Sequence, residues 1–208
     1  MAFITHCCKN TWHSVARLGG VLLLFFAAAM VHAQGTADIS QLQLERVDDG
    51  IQVSAQVLFE LPPAVEEALL KSIPLYFVLQ ADVFRERWYW YDKKVAAVER
   101  RMRLAYQPLT RHWRLNVSSG AGREGDVGLA LNQSFDTLAQ ALAVIKRVSR
   151  WKIAEAADLD GSVKYRMELR FRLDLSQLPR PFQIGAVGQS DWDIAATLNA
   201  PLVADPQK

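Results

Sequence analysis

The sequence predicts an α+β domain that is mainly antiparallel β, a meander or sandwich-like fold with two helices, preceded by a signal peptide. Three observations predict it. Apolar and polar residues alternate with period two along much of the chain, the mark of strands with one buried face. Only two stretches carry apolar residues at helical spacing. Strands and helices do not alternate, which argues against a parallel, doubly wound sheet. The composition agrees. With 208 residues, half of them hydrophobic and 22% charged, the chain suits one globular domain. It is too apolar for a disordered chain, and a formal net charge of +2 is too balanced for a nucleic-acid tail. No apolar run reaches the ~20 residues of a membrane-spanning helix, which excludes a polytopic membrane protein.

Taken in order, the first element is an address. Met1–Ala33 reads as a secretory signal peptide: Lys9 and Arg17 form a positive head, Leu18–Val31 is the apolar run, and Val31-His32-Ala33 offers a cleavage site before Gln34. The alternative is an uncleaved anchor that holds the domain at the inner membrane, facing the periplasm. Cleavage leaves residues 34–208 as one mature envelope domain, with its core at about 39–200. Cys7 and Cys8 depart with the leader, as do His6, His13 and His32. Lys9 and Arg17 carry the whole excess charge, so the mature domain is neutral. Disulfides, thiol nucleophiles and cysteine-based zinc sites are thereby excluded, and any Ser-His-Asp triad would have to use His112.

Gln34–Asp38 is a flexible lead. Ile39–Val47 and Ile51–Phe59 form a hairpin around Asp48-Asp49-Gly50. Pro62–Ile73 is a short helix with proline in its first turn, Glu66 and Glu67 near its positive end, and Pro74 as its stop. Leu75, Phe77, Leu79, Ala81 and Val83 alternate into a strand that runs on toward Trp88. Val98–Gln107 and Thr110–Ser118 are two further strands joined through Pro108. Gly120–Gly125 is a loop, and Leu129–Asn132 reads as a short strand. Ser134 offers an N-cap to a helix from about Phe135 to Ser149, whose Leu138, Ala141, Leu142, Ile145 and Val148 share a face. Asp158-Leu-Asp160-Gly161 begins like a calcium loop, but Lys164 and Leu169 occupy later ligand positions, so a hairpin turn is expected there. Val163–Leu175 is the clearest strand, apolar on one face and charged on the other. Leu178-Pro-Arg-Pro-Phe182 breaks it, Trp192, Ile194 and Ala196 begin a last strand, and the tail after Pro201 frays.

Two features point to a contact surface. If Phe84–Asp92 is extended, Trp88 and Trp90 share one face with Glu86 and Asp92, while Arg85, Arg87, Tyr89 and Tyr91 share the other. A sheet with one buried face hides only one of these rows. Either the other row meets a ligand or partner, or a second layer covers both. Charge is also segregated: Asp82–Arg114 holds nine basic residues against four acidic, while Gln34–Ala81 holds two against seven. Lys93, Lys94, Arg100, Arg101, Arg103, Arg111 and Arg114 lie on neighbouring strands, and Arg166, Arg170 and Arg172 extend them. They form either one anion-attracting patch or a solvated face laced with cross-strand salt bridges. Trp88, Trp90, Arg101, Arg103 and Arg114 are the expected binding residues. Neither a cofactor nor a metal is expected.

The stretches Pro74–Leu79, Arg87–Lys94, Arg103–Arg114, Ser134–Trp151 and Leu178–Ile184 resemble a family of exported proteobacterial proteins, a domain of unknown function sometimes labelled proline-rich signal peptide protein. The resemblance extends from about Ile39 to Ala200. It implies a Gram-negative envelope location and carries no established activity, so it transfers no catalytic residue. Genes of that family often adjoin an rRNA methyltransferase gene and a membrane sensor kinase gene.

The expectation is therefore a periplasmic, non-catalytic binding or protein-interaction module with an aromatic-basic contact surface. Its partner is an envelope protein or an anionic lipid or glycan surface, and nucleic acid is not expected. Two alternatives stand beside it. One is a sensory accessory of a membrane kinase, implied by the gene neighbourhood. The other is a carboxylate-based hydrolase of glycan or peptide, using Glu86 with Asp92 or Glu99 with Asp136.

Overall fold

The computed structural model describes residues 37–86, 92–120, 130–160, 163–186 and 188–202. The leader, the tail after 202 and the Trp88–Trp90 segment lie outside the described residues.

Two antiparallel sheets pack face to face, so the architecture is a sandwich. The smaller has strand order β1-β2-β7, from β1 (Ala37–Val47), β2 (Gly50–Phe59) and β7 (Arg147–Glu155). The larger has order β6-β5-β4-β3-β8-β9, from β3 (Leu75–Arg85), β4 (Lys93–Gln107), β5 (His112–Gly120), β6 (Ala130–Phe135), β8 (Tyr165–Leu173) and β9 (Ala195–Leu202). β3 to β6 form the expected meander. The chain then crosses to the small sheet as β7 and returns as β8 on the other side of β3.

Period two decides what faces inward. Val53, Ala55, Val57 and Phe59 of β2 meet Phe77, Leu79, Ala81 and Val83 of β3 and Met167, Leu169 and Phe171 of β8, all buried in one core. Phe59 is the contact between sheets: its ring centroid lies 5.6 Å from that of Phe77 and 5.2 Å from that of Phe171. Burying side chains of this size contributes about 1.5–3 kcal/mol each, which is what holds two separate sheets together.

The β1–β2 hairpin turns at Asp48-Asp49, as expected. Gly50 has a second role there. Its φ is +149°, and a Cβ at this position would stand 2.0 Å from the Ala154 carbonyl oxygen of β7. The glycine lets the third strand approach at a register shift between β2 and β7.

Among the described residues three α-helices appear where two helices were expected. α1 (Pro63–Leu70) starts behind Pro62 and buries Val65, Ala68 and Leu69. α2 (Leu138–Lys146) is capped by Thr137, whose hydroxyl accepts from the Gln140 amide at 3.3 Å, and not by Ser134. Ser134 instead belongs to β6, paired opposite Arg114. α2 also stops before the expected Ser149. Val148, Trp151 and Ile153 are buried in a strand that pairs with β2, and this ladder outweighs the helical spacing of Val148. α3 (Arg180–Ala186) occupies the stretch read as a strand breaker, with Pro181 in its first turn, a position proline tolerates. The Asp158–Asp160 stretch is not a hairpin turn. A 3₁₀ turn at Ala156–Asp158 leads from β7 to β8, which lie in different sheets and do not pair. Trp192 ends another 3₁₀ turn, buried, and β9 begins only at Ala195.

Candidate functional site

The core claims one face of the large sheet, and the pairing registers assemble the other largely from polar side chains, with Val78, Phe84 and Ala97 among them. On β3 the outward row is Tyr76, Val78, Gln80, Asp82 and Phe84. β8 sets Arg172, Arg170, Glu168 and Arg166 opposite the last four of these. β4 sets Arg103, Arg101, Glu99 and Ala97 opposite Tyr76, Val78, Gln80 and Asp82, and a bulge at Val95 brings Lys94 opposite Phe84. β5 adds Arg114, Asn116 and Ser118. Arg101, Arg103 and Arg114 therefore share one surface, and Arg166, Arg170 and Arg172 extend it. Trp88 and Trp90, the aromatic part of the expected surface, lie outside the described residues.

Arg100 does not join the patch. It alternates with Arg101 and so turns inward, where its guanidinium lies 5.0 Å from the centre of the Trp151 ring and its Nε donates to Ser119 Oγ at 3.4 Å. Burial pulls its pKa below the ordinary arginine value. Arg111 sits in the β4–β5 turn with a φ of +56°, exposed. His112, expected to face solvent, does so and pairs with the exposed Asp136 at 3.2 Å.

The centre of the face is a buried carboxylate that alternation alone does not single out. Asp82 is 1% exposed. Its Oδ2 accepts from Lys94 Nζ at 3.0 Å and Gln80 Nε2 at 3.0 Å, with the Arg170 guanidinium at 3.8 Å. Its Oδ1 has no hydrogen-bond partner among the described residues. The sequence signal was an acidic residue in the middle of a strand whose alternate positions are all apolar.

Around Asp82 the charges pair off. Arg170 Nε donates to Glu168 at 2.8 Å, which lowers the Glu168 pKa and raises that of Arg170. Arg101 is bonded to Glu99, and this bond raises its pKa. Arg166 reaches Asp92 at 3.0 Å, and Arg172 reaches Asp174 at 3.4 Å. Arg103 and Arg114 differ. Neither has a carboxylate partner among the described residues. Arg103 lies over the Tyr76 ring at 5.9 Å and donates to its hydroxyl at 3.2 Å. Since Arg103 pairs with Asn116, Arg114 is its diagonal neighbour, about 7–8 Å away across the strands. Both are exposed, beside an Asn116–Asn132 cross-strand hydrogen bond of 2.7 Å. Thus salt bridges occupy the middle of this face, and at one corner Arg103 and Arg114 have no carboxylate partner among the described residues.

The carboxylates offered for hydrolysis are not brought together in one case. Glu99 lies opposite Gly120, and Asp136 follows Phe135, which lies opposite Trp113. The stretch Trp113–Gly120 separates those levels, about 23 Å at ~3.3 Å per residue. A retaining or inverting pair needs roughly 5–10 Å. Glu86 and Asp92 bracket the undescribed segment, and Asp92 is engaged by Arg166. Among the described residues no cluster of three His, Cys, Asp or Glu side chains is placed to hold a metal.

A family model described as a domain of unknown function, DUF4390, matches residues 34–199. No curated protein and no solved structure matches the chain.

Proposed function

Since the chain belongs to the DUF4390 family, a domain of unknown function, we propose its role from its own surface: a non-catalytic binding module of the cell envelope that docks through the outer face of its large sheet onto an anionic surface. The observation that supports this reading is the corner formed by Arg103 and Arg114, two exposed guanidinium groups with no carboxylate partner among the described residues, on a face whose other arginines are paired. Arginine is the residue suited to this task, because its planar fork pairs bidentately with phosphate and carboxylate. The face is the outer side of a six-stranded sheet. It fits a flat array of negative groups, such as lipid headgroups, better than an enclosed small molecule. An export signal in residues 1–33, as the sequence reads, supports a location beside such surfaces.

The test is co-sedimentation of the protein with phosphatidylglycerol vesicles, with phosphatidylcholine vesicles as control. Binding to the anionic vesicles that weakens with salt, and about tenfold or more in an Arg103→Ala/Arg114→Ala double variant, supports the reading. Equal binding to both vesicle types, or no loss in the double variant, refutes it. Envelope crosslinking that captures an acidic protein through the same two arginines would name a protein surface instead of a lipid one. Mass spectrometry of the exported protein tests the location: its N-terminus is expected at Gln34.

A further inference from the structure

The small sheet carries a second feature, independent of the first. Two β-bulges flank one point of its central strand. On β1, pairing slips between Ser40, opposite Gln56, and Gln43, opposite Ser54, so Gln41 and Leu42 stand against Ala55. On β7, pairing slips between Val148, opposite Ala55, and Trp151, opposite Val53, so Ser149 and Arg150 stand against Ser54. Each bulge contains a residue in the left-handed region, Gln41 at a φ of +51° and Arg150 at +42°. That conformation is unfavourable for any residue with a Cβ, and glycine adopts it freely. Bulges of this kind re-aim side chains, and strained backbone of this kind collects at binding sites. The Arg150 amide, displaced from the ladder, donates to Ser54 Oγ at 3.0 Å, so the serine holds the bulge in place.

Both strained residues line the same groove, of about 640 Å³, on the small sheet beside the end of α2. Gln41, Gln43, Ser54 and Gln56 supply neutral donors and acceptors, and Arg147 and Arg150 supply positive charge. No carboxylate lines it. Arg147 and Arg150 are exposed and have no ion pair among the described residues. Lys146, at the rim, is held 5.0 Å over the Phe59 ring. Three amides and a hydroxyl beside two free guanidinium groups match a ligand rich in hydroxyls that also bears fixed negative charge. The volume falls in the range of small-molecule sites.

We propose that this groove binds an acidic saccharide, its negative group a carboxylate or a phosphate, with Arg147 and Arg150 on the charge and the glutamines on the hydroxyls. Isothermal titration with three probes tests it: trigalacturonate, trehalose 6-phosphate and neutral cellotriose. Binding to at least one charged probe is expected, at least tenfold tighter than to cellotriose, and which charged probe binds identifies the group recognised. Arg150→Gly is the informative variant. Glycine relaxes the +42° backbone, so thermal stability is expected to hold or rise while affinity falls about tenfold or more; Arg147→Ala is expected to weaken binding similarly. The Arg103→Ala/Arg114→Ala variant, altered on the other sheet, is expected to bind the saccharide unchanged. Failure of both charged probes to bind, equal binding of cellotriose, or full affinity in Arg150→Gly and Arg147→Ala would overturn the proposal.

Discussion

Asp82 gives the sharpest test of how the outer face is held together. Replace it with Asn, then with Val. Its carboxylate sits at 1% exposure on the central strand, with one oxygen served by Lys94 and Gln80 at 3.0 Å each and the other without a hydrogen-bond partner among the described residues. A charge-assisted hydrogen bond contributes about 1.5–3 kcal/mol and a neutral one about 1 kcal/mol. The buried, unpaired Oδ1 costs about 1–3 kcal/mol. These oppose each other, so the carboxylate's net worth is small. Removing one partner of a buried pair usually costs about 3–5 kcal/mol because the other charge is stranded. Here Lys94 and Arg170 are 45% and 43% exposed and regain water at once. Asp82→Asn is therefore expected to lose about 1–2 kcal/mol: it keeps a buried polar group but forfeits the charge-assisted bond. Asp82→Val removes both the bond and the orphan oxygen, suits a central strand, and is expected within about 1 kcal/mol of the parent. Urea unfolding at neutral pH measures both, and each kcal/mol corresponds to about 2–4 °C in Tm for a domain of this size. A loss of about 3 kcal/mol or more in Asp82→Val would refute the reasoning, since the carboxylate would then be a net support of the sheet.

Three further outcomes follow from the same geometry. Phe59→Ala deletes the ring that touches both Phe77 and Phe171 and is expected to cost about 3–5 kcal/mol by urea unfolding, whereas Leu131→Ala on the exposed edge strand should cost less than about 0.5 kcal/mol. Arg100→Met keeps a long apolar stem against Trp151 and removes a charge that burial disfavours, so thermal denaturation should show stability held or raised by up to about 1 kcal/mol; a loss above about 2 kcal/mol would mean the guanidinium itself is required. Glu168 has its pKa lowered in the folded protein, first by its hydrogen bond from Arg170, so its contribution is present above the ordinary glutamate value of 4.5 and disappears as pH falls below it. Urea midpoints measured from pH 6 to pH 3 should decline across that window, and Glu168→Gln should flatten the decline.

Much of the fold was legible because period two is a local property. The alternation of Tyr165–Leu173 and of Leu75–Val83 named the inward row of β8 and β3 correctly, and with it the outward row of arginines that the registers later set side by side. The first residues of β7, 147–149, read as helix for the opposite reason. Ala141, Ile145 and Val148 keep helical spacing, and nothing local says that a hydrogen-bonding edge of β2 waits for Arg147 onward. Ser134 was a sound cap by residue type and lost to Thr137 because β6 extends through Phe135 to pair with β5.

The sequence by itself determined the class of the fold, the two-faced character of its strands and the segregation of positive charge into the Asp82–Arg114 stretch. These depend on neighbours one, two or three residues apart, and the residues themselves carry them. Only the tertiary structure decided which cations were neutralised and which were left over, because pairing joins residues far apart in the chain: Lys94 and Arg170 to Asp82, Arg166 to Asp92, and, among the described residues, no carboxylate to Arg103 or Arg114. It alone placed Gln41 and Arg150 at facing bulges, since a bulge is a mismatch between two strands and a single strand has no register to break.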